Sequence, residues 1–294
     1  MMHAPTLEAI ASRVELPVMR RLFSLMEGRH GSMRAGRGWE FLDMAEYKPG
    51  DDVKDIDWLA SARVARPVVK RFEATANVQV ILVVDTGRSM GALAPSGETK
   101  EEVALAACQT IAWMSAERGD QVGLVAGDSQ RLRQMPARTG NSHSETILRR
   151  ITQDIDLASP PSDVARLLTR ALASTRRRSL VVLVSDETQP DPSLDPLVKR
   201  MCVRHEMIVM SVADASPTQF DRGTRVIDVN AGPLPDFVLG DPQLADEAAA
   251  VARERKDRVS LMLARRGVTQ VSMSSSDEVA RALVRALERG ARVH

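Results

Sequence analysis

The chain has 294 residues, enough to bury one large core or two modest ones. Hydrophobic residues make up 44% and charged residues 27%, with a formal net charge of +1. This composition excludes a disordered chain and gives no general attraction for nucleic acid or an anionic membrane. No apolar run approaches the roughly 20 residues that cross a bilayer, and Glu8, Arg13, Glu15 and Arg20 interrupt any secretory h-region. Cys108 and Cys202 both lie in apolar helical patterns and read as buried free thiols, so a cytoplasmic location is expected.

In chain order, Leu7, Ile10, Val14, Val18 and Leu22 recur at helical spacing over Thr6 to Glu27, with a break expected at Pro17. A loop rich in Gly and Arg follows, from Gly28 to Phe41. It has no strand before it and no Gly-Lys-Ser/Thr ending, so it is not a P-loop. Arg29, Arg34 and Arg37 read as solvated surface, and His30 as a hydrogen-bonding structural group. Lys48-Pro49-Gly50 signals a turn, and Asp51 or Asp52 is expected to cap a short helix through Trp58. Val68 to Glu73 reads as a short strand. Trp39, Phe41, Tyr47 and Trp58 are expected to pack into a small core of their own, which makes residues 1–76 an N-terminal appendage to a domain of residues 77–294.

The strongest signal is Val80 to Val84, five apolar residues that read as a strand buried on both faces and end at Asp85. Strand and helix then alternate. Helices are expected over Val103 to Met114, Glu145 to Ile155, Val164 to Leu172 (ending in Arg176, Arg177 and Arg178), Leu197 to Val203, Pro242 to Arg266 and Asp277 to Leu287. Strands are expected over Val122 to Ala126, Leu180 to Val184, Met207 to Val212, Thr224 to Val229 and Val268 to Met273, with Leu132 to Met135 as an edge partner. This alternation means βαβ units: an α/β fold with a doubly wound, mostly parallel sheet and helices on both faces.

Ligands in such folds bind beyond the carboxyl ends of the strands. Asp85 and Asp186 both stand there, Ser89 lies on the first loop, and Ser162 or Asp163 joins from a third loop. Carboxylates and hydroxyls from three loops suit a hard cation such as Mg²⁺ or Mn²⁺. The competing reading is that Asp85, Asp186 and Ser162 only cap the helices that follow them. The five histidines are scattered, and neither a Gly-x-Ser-x-Gly elbow nor zinc spacing is present.

The N-terminal motifs carry a family signature. Gly36-x-Gly38-x-Glu40-Phe41, Tyr47-x-Pro49-Gly50-Asp51-Asp52, Asp57-Trp58 and Arg63 together resemble the bacterial family known as domain of unknown function 58. The downstream domain is similar to a von Willebrand factor type A domain. The resemblance implies a metal-ion-dependent adhesion site of form Asp-x-Ser-x-Ser, completed by a Thr and an Asp from later loops. Asp85 and Ser89 match its first and last members, Gly87 replaces the middle serine, and Ser162 and Asp186 stand at the threonine and second aspartate. It also implies work beside a MoxR-type AAA+ ATPase, as an adaptor that helps remodel or mature client proteins.

The expected function is therefore a non-enzymatic interaction module whose partner's carboxylate completes the coordination of a metal held by Asp85, Ser89, Ser162 and Asp186. One alternative is a metal-free scaffold docking through the N-terminal block. Another is a Mg²⁺-dependent phosphohydrolase with Asp85 as nucleophile, though Asp-Thr-Gly lacks the second carboxylate such a site would use as acid.

Overall fold

The apolar runs at 80–84, 122–126, 180–184 and 207–212 have no polar face to offer water, so they assemble side by side in the middle of a sheet. The computed structural model describes residues 41–48, 56–72, 78–216, 227–230, 232–233 and 242–291. These fall into two compact units, one within residues 27–77 and the other within residues 78–294.

In the smaller unit, β1 (Phe41–Glu46) pairs antiparallel with β2 (Val68–Phe72), and α1 (Trp58–Val64) lies between them in sequence. The Asp57 carboxylate accepts from the backbone N–H groups of Leu59 and Ala60, both at 3.0 Å, which fixes the helix start. The cap expected at Asp51 or Asp52 lies outside the described residues, and α1 starts at Trp58 rather than ending there, since Ile56 and Asp57 are not helical and the Asp57 carboxylate takes up the first free N–H groups. The aromatic cluster also needs correction: Trp58 is 69% exposed on α1 and belongs to no core. The helix of residues 6–27, the loop carrying Gly36, Gly38, Trp39 and Glu40, the turn at Pro49, Gly50, Asp51 and Asp52, and Glu73 lie outside the described residues.

The larger unit is built on β3 (Gln79–Asp85), β4 (Gln121–Gly127), β5 (Leu132–Arg138), β6 (Leu180–Asp186), β7 (Glu206–Val212) and, after a two-residue ladder of β8 (Ile227–Asp228) with β9 (Gly232–Pro233), β10 (Thr269–Met273). The six long strands form one sheet in the order β10-β7-β6-β3-β4-β5. All neighbours are parallel except β5, an antiparallel edge on β4. This is the α/β class with a mostly parallel, doubly wound sheet expected from the sequence. Of the strand expected over residues 224–229, only Ile227–Asp228 lies among the described residues as strand.

Strand alternation sends Val80, Leu82 and Val84 to one face of the sheet and Ile81 and Val83 to the other. The first face is covered by α2 (Lys100–Glu117), α3 (Asn141–Asp154) and, at the chain's end, α7 (Val279–Ala291). Between them in sequence, α4 (Val164–Ser174), α5 (Asp195–Arg204) and α6 (Pro242–Arg265) cover the second face through Leu167, Leu168, Met201 and Leu263. Each fully buried leucine of this kind contributes about 1.5–3 kcal/mol by leaving water. The helix α4 ends at Ser174, so Arg176, Arg177 and Arg178 belong to the loop beyond it rather than to its last turn.

The chain leaves β3 toward α2 on one face and leaves β6 toward α5 on the other. Because β3 and β6 are neighbours, their connections diverge and open a crevice at their carboxyl ends, where such folds bind ligands.

Candidate functional site

Asp85 and Asp186 close the two strands that flank this crevice, and both solve the same local problem in the same way. The Asp85 Oδ1 accepts from the Gly87 N–H at 2.9 Å, and the Asp186 Oδ1 accepts from the Thr188 N–H at 2.7 Å. Each aspartate thus satisfies the backbone of its own turn two residues on. Their second oxygens diverge in use. Asp85 Oδ2 accepts from the Ser185 hydroxyl at 2.8 Å, whereas Asp186 Oδ2 accepts from the ammonium of Lys100.

Lys100 is the first residue of α2. The helix start is set by a reciprocal capping box, in which Thr99 accepts from the Glu102 N–H and Glu102 accepts from the Thr99 N–H at 2.8 Å. That fixes the lysine where its side chain is wholly buried, with its Nζ donating to Asp186 and, at 2.6 Å, to Asp214 beyond β7. An ammonium in the first turn opposes the helix dipole, so the carboxylates hold it there. Burial works against the charge on Lys100, but Asp186 and Asp214 outweigh it and keep its pKa above 10.5. Burial likewise works against charge on Asp186, and the Lys100 ammonium with two bonds from Thr188 more than offsets it, holding this carboxyl below the ordinary range. Asp85 goes the other way. Burial pushes it up, the bonds from Gly87, Ser162 and Ser185 oppose that only in part, and the Asp186 charge adds to the rise.

The third loop meets the first here. Asp163 caps α4 by accepting from the Arg166 N–H at 2.9 Å, which leaves Ser162 out of that role. The Ser162 hydroxyl instead lies 3.0 Å from that of Ser89, and the Arg88 N–H donates to the Pro160 carbonyl at 3.0 Å. Gly87 is what allows this approach. A Cβ on it would stand 2.2 Å from Ser162 Oγ and 2.5 Å from the Ser162 nitrogen.

The structure therefore brings Asp85, Ser89, Ser162 and Asp186 to one crevice. Helix capping accounts for none of the four, since Asp85 and Asp186 close their own turns and Asp163 caps α4. Three contributors escaped the sequence reading: Lys100, Ser185 and Asp214. A lysine at the first position of a helix, against the dipole preference, was the available signal for the first. Asp214, two residues past an apolar strand, repeats the strand-end pattern of Asp85 and Asp186. Of the signature residues, Asp57 caps α1, Tyr47 donates its N–H to the Pro67 carbonyl at 2.9 Å, Arg63 is exposed in the last turn of α1, and Phe41 opens β1.

A divalent cation does not fit this donor set. The Asp186 charge is matched by the Lys100 ammonium on its Oδ2, and the position of the middle serine is packed shut. The hydroxyls of Ser89 and Ser162 are neutral. Among the described residues, no group of three or more His, Cys, Asp or Glu side chains is placed to hold a metal ion.

The charge pair has a pH signature. Depressed Asp186 contributes stability that is present above 3.8 and lost as pH falls through its lower folded value, and raised Lys100 contributes stability lost as pH climbs past 10.5. In Lys100→Met the unpaired Asp186 carboxyl is raised instead, so it takes a proton earlier on acidification and recovers stability. The stability difference between wild type and Lys100→Met is expected to be largest near neutral pH and to shrink on acidification through the carboxylate range. Denaturant midpoints measured across that range check this, and a difference that stays constant would contradict the pairing.

A doubly wound α/β domain with a polar crevice at its switch point, built around a buried Lys100–Asp186 pair, is the class that fold and site define. Within it, the chain belongs to the family described as "Protein of unknown function DUF58", which matches residues 43–258. It is 32% identical over 257 residues, 86% of this chain and 80% of the relative, to the uncharacterized protein Mb1516 of Mycobacterium bovis and equally to Rv1480 of Mycobacterium tuberculosis. Among solved structures it is similar to an aerotolerance-related membrane protein from Bacteroides fragilis (TM-score 0.44, 13% identity, 72% of this chain and 99% of that one). A von Willebrand factor type A protein from Catenulispora acidiphila is another (TM-score 0.36, 14% identity, 76% and 44%). Among the described residues, no helix is long and apolar enough to cross a membrane.

Proposed function

We propose that this protein is a non-enzymatic interaction module of the cytosol that docks a MoxR-type AAA+ ATPase at the carboxyl ends of β3 and β6. The observation that carries the reading is the pair of partly exposed serines, Ser89 and Ser162, whose hydroxyls are held 3.0 Å apart over a crevice where a buried Lys100 pairs with Asp186. A surface of this kind offers a partner fixed hydrogen-bonding groups at little cost in ordering. The ATPase as partner follows from the family resemblance of the signature segment. Reduced, buried Cys108, its thiol pushed up to about 12 by burial, suits a reducing compartment.

A phosphohydrolase role fits the geometry poorly. The Asp85 carboxylate is fully buried, and both its oxygens accept hydrogen bonds, so it has no free face for in-line attack. His143 bonds the Val122 and Pro136 carbonyls, and His205 sits where α5 runs into the amino end of β7, at the opposite edge of the sheet from Asp85. Neither is placed as a base for the crevice.

Ser162→Glu and Ser89→Glu alter the crevice mouth from partly exposed positions. Binding of the purified ATPase, followed by calorimetry, is expected to weaken by about tenfold or more in either variant, in line with placing an unpaired charge in an interface. One specific observation favours a second reading. Trp58 and Leu59 are each 69% exposed on α1 in the signature segment. If binding survives both serine variants and is lost in Trp58→Ala, docking runs through that segment and the crevice reading fails.

A further inference from the structure

We infer that the Lys100 ammonium is itself the cation of this crevice: it occupies the charge position that a divalent metal would fill, so the strand ends work without metal ions. The inference rests on reading the strand ends as the functional surface, and it adds how that surface is charged.

Two independent parts of the chain converge on it. From the helix side, the capping box of Thr99 and Glu102 fixes the start of α2 and thereby buries Lys100 completely, with its Nζ on Asp186 and Asp214. A lysine is almost never buried unless paired, and here the pairing is with one of the four expected metal ligands. From the loop side, Gly87 stands where a ligating hydroxyl is expected, and Ser162 closes on it so tightly that no side chain fits. Mg²⁺ demands near-octahedral oxygen geometry and keeps several waters. A crevice holding an alkyl stem and an ammonium on Asp186, with its first loop packed against its third, lacks the room for such an ion.

A consequence follows for the partner. A bound metal with an open position would take a carboxylate directly, but Lys100 is sealed beneath the surface and reaches no external group. What remains partly exposed at the strand ends is the neutral pair of Ser89 and Ser162 together with the Asp214 carboxylate, so the matching ligand is a hydrogen-bonding segment of protein rather than a lone acidic side chain. Docking at this surface is then indifferent to chelators.

The test uses the full chain with Mn²⁺ or Mg²⁺ alone and needs no partner, so its failure is separate from that of the docking reading. Mn²⁺ binding is followed by electron paramagnetic resonance, and unfolding midpoints are compared in EDTA and in about 10 mM MgCl2. Wild type is expected to show no binding that depends on Asp85 and no midpoint shift. Lys100→Ala leaves Asp186 and Asp214 unpaired with space beside them, and is expected to gain both Mn²⁺ binding and a midpoint rise of about 3 °C in Mg²⁺. Both gains are expected to vanish in Lys100→Ala/Asp186→Asn. Wild-type Mn²⁺ binding that disappears in Asp85→Asn overturns the inference, and that measurement stands even if Lys100→Ala fails to fold. A folded Lys100→Ala that gains no affinity also overturns it, since the ammonium would then not be what fills the cation's place.

Discussion

Replacing Lys100 by methionine is expected to destabilise the larger unit by about 3–5 kcal/mol, the cost of removing one partner from a buried ion pair. The methionine matches the length of the alkyl stem, so little packing is lost. The loss comes from Asp186, which stays in place with its Oδ1 bound to the Thr188 N–H and hydroxyl and its Oδ2 left without the ammonium. A second change isolates that cause. Asp186→Asn keeps an acceptor for Thr188 but carries no charge, so Lys100→Met/Asp186→Asn is expected to recover more than half of the loss. Denaturant unfolding of the wild type, the two single variants and the double variant gives the coupling directly. Additive effects would mean that the two side chains do not act as a pair, and would remove the charge-matching account of the crevice. Asp214 is the smaller partner, because its side chain is 46% exposed and water can replace the ammonium there.

The parts of the fold that were legible in the sequence are those where local pattern and burial agree. Val80 to Val84 and Leu180 to Val184 are continuous apolar runs because they are the two central strands, buried on both faces. Asp85 and Asp186 were legible as a pair for the same reason: each ends such a run. The antiparallel edge β5 was visible only faintly, since most of its residues are solvent-exposed and it carries Pro136, which an edge strand tolerates. Lys100 was not legible because nothing within ten residues of it shows its partners, which lie 86 and 114 positions away. The role of Gly87 was hidden for a related reason. A missing serine reads as a lost ligand until the Ser162 backbone is seen to fill the space. Trp58 misled because a scarce aromatic suggests a core, whereas α1 turns it outward.

Gly87→Ser restores the Asp-x-Ser-x-Ser spacing on paper, and it is the change expected to damage the site most directly. The new Cβ would meet Ser162 Oγ at 2.2 Å, the Ser162 nitrogen at 2.5 Å and its Cα at 2.6 Å. Two of these are backbone atoms, so a change of rotamer gives no relief and the 160–162 loop must move. That displacement strains the Arg88 N–H bond to the Pro160 carbonyl, the Ser129 N–H bond to the Pro161 carbonyl and the Ser89–Ser162 contact together. The expected loss is about 3 kcal/mol or more, at the upper end for overpacking because the obstacle is main chain. The conformation of Gly87 itself is not the obstacle, since its φ of −66° suits any residue, and the effect is one of space alone. Space can be returned by removing what fills it only in part: Ser162→Gly deletes the hydroxyl but leaves the nitrogen and Cα where they are. Gly87→Ser/Ser162→Gly is therefore expected to stay well below wild type in thermal unfolding, and neither variant is expected to acquire Mg²⁺ binding while Lys100 remains. If Gly87→Ser instead folds with wild-type stability and binds Mg²⁺, the loops are free to part, and the crevice is a metal site that has only lost a ligand.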